Sequence, residues 1–149
     1  MKILVSDDVS EKGVELLRQH GYEVDVKTNL DEQGLIDCIG EYDGMVTRSM
    51  THVTEKVIAA GKKLKVIGRA GVGVDSIDIK AATARGIIVV NAPTANTIAA
   101  TEHTCAMIMA ITRHIPQAHN SLMAGEWDRE RFTGIQLQNK TIGIIGVGR

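Results

Sequence analysis

KILVSDDVSEKGVELLRQHGYEVDV, residues 2–26, reads as a strand, a helix and a second strand in immediate succession, and that unit decides the fold. Lys2–Ser6 is a short β-branched run of the kind that parallel strands use when both faces are covered. Ser10 followed by Glu11 marks a helix start, Val14, Leu16 and Leu17 supply its apolar stripe, and Gly21 ends it. Glu23–Val26 then returns to strand. The alternation continues with candidate strands at Gly44–Thr47, Lys65–Ile67 and Ile87–Val90. Between them lie helices led by Asp31 (with Leu35, Ile36 and Ile39), by Thr54 (with Val57, Ile58 and Ala59) and by Asp78, the last running to Arg85 and closed by Gly86. Strands separated by helix-length segments form βαβ units on a parallel sheet, so the expected class is α/β, with a flavodoxin-like sheet. In such a sheet a ligand sits beyond the carboxyl ends of the strands.

Beyond Asn91-Ala92-Pro93 the pattern changes. Ile98 to about Ile115 is apolar over most of a helix circumference, which calls for a buried helix, and Pro116 is expected to break or bend it before a polar segment with Gly125, Trp127 and Phe132. Thr141–Ile145 reads as a buried strand entering Gly146-Val147-Gly148-Arg149, which is half of a G-x-G-x-x-G dinucleotide loop or simply a strand ending in a Gly turn. The third glycine, the following helix and the acidic ribose ligand would then fall beyond residue 149.

The 149 residues are 44% hydrophobic and 23% charged, which sets aside disorder and a membrane span. Seventeen basic against eighteen acidic side chains leave a net charge of -1, so no long-range field favours nucleic acid or an anionic membrane, and an anion has to be held locally. Cys38 and Cys105, without a CxxC pair or a secretory signal, fit a reducing cytoplasm. His20, His52, His103, His114 and His119 show no ligand spacing, and His103 and Cys105 lie two apart on different helix faces, so no metal site is expected.

Several local features can hold an anion. Arg48, at the end of the third strand with Ser49, offers a forked guanidinium, against the plainer reading of a solvated surface arginine. Gly68-Arg69-Ala70-Gly71-Val72-Gly73-Val74-Asp75 is rich enough in glycine for backbone N–H groups to form a nest, or it is a crossover turn with Arg69 paired to Asp75 or Asp78. Asn96 caps the long helix or points its amide at a ligand. Asp7-Asp8 imitates the acidic pair of a phosphorylation receiver. That reading fails because Thr47-Arg48 and Asn91-Ala92 stand where a receiver needs an aspartate and a lysine.

Four segments in order, Gly68–Asp78 (GRAGVGVDSID), Asn91–Thr104 (NAPTANTIAATEHT), Arg113–Ala118 (RHIPQA) and Asn139–Arg149 (NKTIGIIGVGR), resemble the D-isomer-specific 2-hydroxyacid dehydrogenases. The resemblance covers essentially the whole chain, with Ser76 where the family usually has Asn and Thr101 where it usually has Ala. It implies a flavodoxin-like substrate-binding domain at 1–94, and at 95–149 the truncated start of a Rossmann NAD-binding domain, comprising its leading helix and first strand. By the same likeness Arg48 and Ser49 face the phosphate end of a phosphorylated 2-hydroxy acid, and the backbone at Val72 and Gly73 cradles its carboxylate beside the nicotinamide. Asn96 resembles a substrate contact, and Gly146, Gly148 and Arg149 resemble the pyrophosphate loop for NAD. The helix near 98–115 resembles a dimer helix, so a homodimer or homotetramer is implied. In the family a His, a supporting Glu and an Arg carry out proton abstraction and carboxylate binding, and none of the three falls in this chain. The chain on its own is therefore expected to be inactive. Another substrate of the glycerate or lactate type, or an excised domain with only a binding or folding role, is the alternative.

Overall fold

The structure is a computed structural model that describes residues 1–146 and residue 148. The chain divides into two compact units, Met1–Ala95 and Asn96–Arg149.

The first unit is the expected α/β fold. β1 (Lys2–Val5), β2 (Glu23–Val26), β3 (Gly44–Thr47), β4 (Val66–Arg69) and β5 (Ile88–Asn91) form one parallel sheet in the order β2-β1-β3-β4-β5. The helices between them are α1 (Glu11–Gln19), α2 (Glu32–Ile39), α3 (Glu55–Ala60) and α4 (Ile79–Ala84). Local chemistry sets their starts. Asp31 Oδ1 accepts the Gly34 N–H at 2.8 Å and Asp78 Oδ1 the Ala81 N–H at 2.9 Å, so each satisfies an amide that a helix start leaves open. Ser10 and Thr54 occupy cap positions without a capping side-chain bond; Thr54 donates instead to Glu32 at 2.6 Å. Gly21 and Gly86 turn the chain from α1 into β2 and from α4 into β5 at φ of 81° and 68°, the left-handed region that favours glycine.

Two apolar layers hold this unit together. Leu4, Met45 and Ile67 meet Leu35 and Ile39 of α2, Val57 and Ile58 of α3, and Ala82 of α4, with Tyr42 sealing one end. On the opposite face Ile3, Val5 and Val24 pack on Val14 of α1. Tyr42 is 1% exposed, and its hydroxyl finds a partner in Asp25 Oδ2 at 2.9 Å, as a buried phenol needs. The same Asp25 takes Lys2 Nζ at 3.1 Å, while Asp43 accepts the Lys2 backbone N–H at 2.9 Å, so a polar seam closes the amino edge of the sheet.

The second unit departs from the sequence reading in three places. α5 spans Thr97–Thr112, and the break after it falls at His114, a left-handed residue with φ 52° and ψ 33°. Pro116 therefore does not end the long helix; it sits in the first turn of a new one, α6 (Ile115–Met123), where its missing N–H costs nothing. The polar segment begins only after α6. Secondly, α5 has no buried residue, and Ile98 and Ile111 are 70% and 67% exposed. Apolarity all round calls for cover on several sides, and within this unit α6 is the helix that packs on it. Thirdly, Thr141–Ile145 is not a strand. A strand exists through its ladder, and no described segment pairs with this one, leaving Ile142 and Ile144 64% and 69% exposed.

Candidate functional site

Parallel register brings three strand ends abreast: Thr47 is paired with Arg69, and Arg69 with Asn91. The strand order reverses between β1 and β3, so the loops after β1, β3 and β4 converge at the switch point where open α/β sheets bind ligands.

The loop after β3 is built on Asp7, a residue that the sequence reading considered only for another chemistry. Asp7 is 5% exposed. Its carboxylate accepts the Thr47 hydroxyl at 3.1 Å, the Arg48 N–H, the Thr51 N–H at 3.3 Å and the Thr51 hydroxyl at 2.8 Å. Thr47 and Thr51 are themselves buried. Arg48 and Ser49 are exposed at the crest of this turn, and the Arg48 guanidinium donates to the Asp8 carbonyl at 2.9 Å. The surface-arginine alternative is therefore half right: the side chain is exposed but held.

Burial by itself pushes the Asp7 carboxyl up, yet the bonds from the Arg48 N–H, the Thr51 hydroxyl and N–H, and the Thr47 hydroxyl outweigh it and hold the group below the usual carboxylate range. Such a group stabilises the folded loop while ionised. Its contribution is complete above the unfolded value of about 4 and is lost as pH falls through the lowered folded value. Amide exchange at Arg48 and Thr51, corrected for intrinsic rates, should accelerate as pH is lowered from 5 to 3. Asp25 and Asp43 are also held low, the first by the Tyr42 hydroxyl and Lys2, the second by the Lys2 N–H and Lys65. They lie at the opposite edge, so only local amides report on Asp7.

The loop after β4 is clamped from both sides. On one side Ala70 N–H donates to Thr47 O at 2.8 Å, Val53 N–H to Ser76 O at 2.8 Å, and the Ser76 hydroxyl to Arg48 O at 3.4 Å. On the other, Ala92 N–H donates to Gly71 O at 2.9 Å and the Asn91 amide to Val72 O at 2.6 Å. Among the described residues the N–H groups of Val72 and Gly73 donate to no protein acceptor, and both residues are exposed. A Cβ on Gly71 would meet the Arg69 guanidinium, and one on Gly73 would lie 2.8 Å from Asp75 Oδ2, so either substitution has to displace the tip of a flexible side chain. The crossover-turn alternative with an Arg69 ion pair does not form; Arg69 pairs with neither Asp75 nor Asp78, and its Nε is buried without a partner.

A cavity of about 560 Å³ opens beside these loops on the β2 side, lined by Asp7, Asp8, Asn29, Asp31 and Met50 among others. The exposed carboxylates of Asp8 and Asp31 in its lining repel an anionic ligand. The two loops that present cationic and N–H groups, at Arg48–Ser49 and Val72–Gly73, are the better anion site.

In the second unit Asn96 stands at the start of α5 but makes no side-chain capping bond, so the capping alternative is not realised. Gly146 has φ 87°, yet a Cβ on Gly146 or Gly148 would meet nothing within 4 Å. A pyrophosphate cradle needs a strand end and a helix start around those glycines. Neither surrounds them among the described residues, so these residues do not fit the group as they stand. Arg149, the last member of the expected loop, lies outside the described residues, as does Val147.

The family model for the D-isomer specific 2-hydroxyacid dehydrogenase catalytic domain matches residues 3–143. The chain is 53% identical over 148 residues to a D-3-phosphoglycerate dehydrogenase of Synechocystis sp., covering 99% of the chain and 26% of the relative. It is also 53% identical over 149 residues to the D-3-phosphoglycerate dehydrogenase of Methanocaldococcus jannaschii, covering 100% of the chain and 28% of that protein. The chain thus spans about a quarter of the length of these relatives. Among solved structures, a Thermus thermophilus protein superposes with a TM-score of 0.83 at 30% identity, over 93% of this chain and 46% of the other. The NAD+-bound 3-phosphoglycerate dehydrogenase of Entamoeba histolytica superposes with a TM-score of 0.69 at 34% identity, over 76% and 39%.

Proposed function

The chain belongs to the D-isomer specific 2-hydroxyacid dehydrogenase family, and from that premise we propose that it is the substrate-reading part of a D-3-phosphoglycerate dehydrogenase. The whole protein would oxidise 3-phosphoglycerate to 3-phosphohydroxypyruvate with NAD, the opening step of serine biosynthesis. Arg48 and Ser49 hold the phosphate end, and the free N–H groups of Val72 and Gly73 hold the carboxylate. By the family likeness Asn96 would add a substrate contact in the whole protein, and Val72 would border the nicotinamide. In the whole protein NAD would take up the hydride, and Gly146, Gly148 and Arg149 are assigned to its pyrophosphate by the family likeness alone. Residues 1–149 supply binding and no turnover. The protein is cytoplasmic, and α5 meets a second copy in a homodimer or homotetramer.

One observation carries this reading: on adjacent strands, and at one edge of the sheet, an arginine on a pinned turn stands beside two unengaged backbone N–H groups. That combination suits an anion with two charged ends. Calorimetry with residues 1–149 tests it. Binding of 3-phosphoglycerate should be at least about tenfold tighter than binding of glycerate, since charge-assisted bonds to phosphate contribute about 1.5–3 kcal/mol. Equal affinities, or tighter binding of glycerate, would refute the choice of substrate.

A further inference from the structure

Asp7 carries the largest share of the polar bonding at the carboxyl edge, and its carboxylate is engaged by donors of the protein itself. Resting on the reading above, we infer that Asp7 is the positioning residue for phosphate recognition, fixing the turn from which Arg48 and Ser49 project.

The geometry is specific. Oδ2 takes the N–H groups of both Arg48 and Thr51, and so bridges the two ends of the turn that contains Ser49 and Met50. Oδ2 also takes the Thr47 hydroxyl and Oδ1 the Thr51 hydroxyl, which orients the carboxylate from either side. The partners are 40 to 44 residues away in sequence, so these bonds tie the loop after β3 to the end of β1 across the switch point. Met50, at the crest, is 84% exposed, so apolar packing does not fix the turn from that side. The backbone bonds to Asp7 do. The ion itself is repelled by a carboxylate, and Asp7 is turned inward and saturated with donors, which keeps its charge occupied by the protein.

A residue acting in this way should change discrimination between ligands more than it changes folding. Asp7→Ala strips both backbone N–H groups of their acceptor. It should weaken 3-phosphoglycerate binding by residues 1–149 at least about tenfold, while glycerate, which engages only the Val72–Gly73 end, binds as to the wild type. Asp7→Asn, which keeps an oxygen for the Arg48 and Thr51 N–H groups, should restore most of the loss. If Asp7→Ala fails to fold, Thr51→Val decides. It removes one of the four donors with little change of shape, and it should weaken 3-phosphoglycerate about threefold and leave glycerate unchanged, with Thr51→Ser as the rescue. Equal loss for both ligands, or no loss in a folded variant, overturns the positioning role and leaves the substrate assignment intact. Failure of the wild-type chain to prefer 3-phosphoglycerate overturns the substrate assignment, and the positioning role with it.

Discussion

Ile67→Ala is expected to cost the sheet unit about 3–4 kcal/mol, a large part of the stability of a domain this size. Ile67 is 0% exposed at the centre of β4, level with Met45 on β3 and Val89 on β5, and it belongs to the cluster formed with α2, α3 and α4. Truncating it removes apolar contact and leaves a hole lined by strand residues that the ladders keep in place. Thermal unfolding of residues 1–149 should show the transition of this unit falling by on the order of 15 °C. Val26→Ala, at a 50% exposed position at the end of β2, is the matched control and should change stability by less than about 0.5 kcal/mol. Similar effects for the two substitutions would mean that the sheet is not the core on which the site is mounted.

The second large effect is on binding. Arg48→Met keeps the aliphatic stem and removes the charge and the fork, so 3-phosphoglycerate affinity should fall about 10- to 100-fold while glycerate affinity stays put. Arg48→Lys keeps the charge without the planar fork and should lie between. The structure supports a local effect: the Arg48 side chain is exposed and makes one bond, to the Asp8 carbonyl, whereas the load on the loop is carried by its backbone N–H. A folded Arg48→Met chain that loses both ligands equally would show that Arg48 does not read the phosphate.

The alternation of short β-branched runs with capped helices was enough to read the parallel sheet, because each strand and each helix carries its own periodicity. Asp31, Asp78, Gly21 and Gly86 are punctuation of the same local kind, and the structure uses them as such. The role of Asp7 was not legible in that way. Its partners begin at Thr47, and nothing near Asp7 announces them; the available signal was an acidic residue at the end of β1 in a chain that also places two threonines around the turn after β3. Thr141–Ile145 shows the opposite error. Its composition suits a buried strand, but pairing is supplied by other segments and no described residue offers it. The break at His114 was also hidden, since a left-handed residue other than glycine leaves no compositional trace and Pro116 is equally suited to starting a helix as to stopping one.

Amide shifts of residues 1–149 on titration with 3-phosphoglycerate, set against glycerate, test the central claim most directly. Arg48, Ser49, Val72 and Gly73 should move together with 3-phosphoglycerate, and Val72 and Gly73 alone with glycerate. Shifts confined to Asp8, Asn29 and Asp31 around the acidic cavity, or no shifts with either ligand, would contradict it.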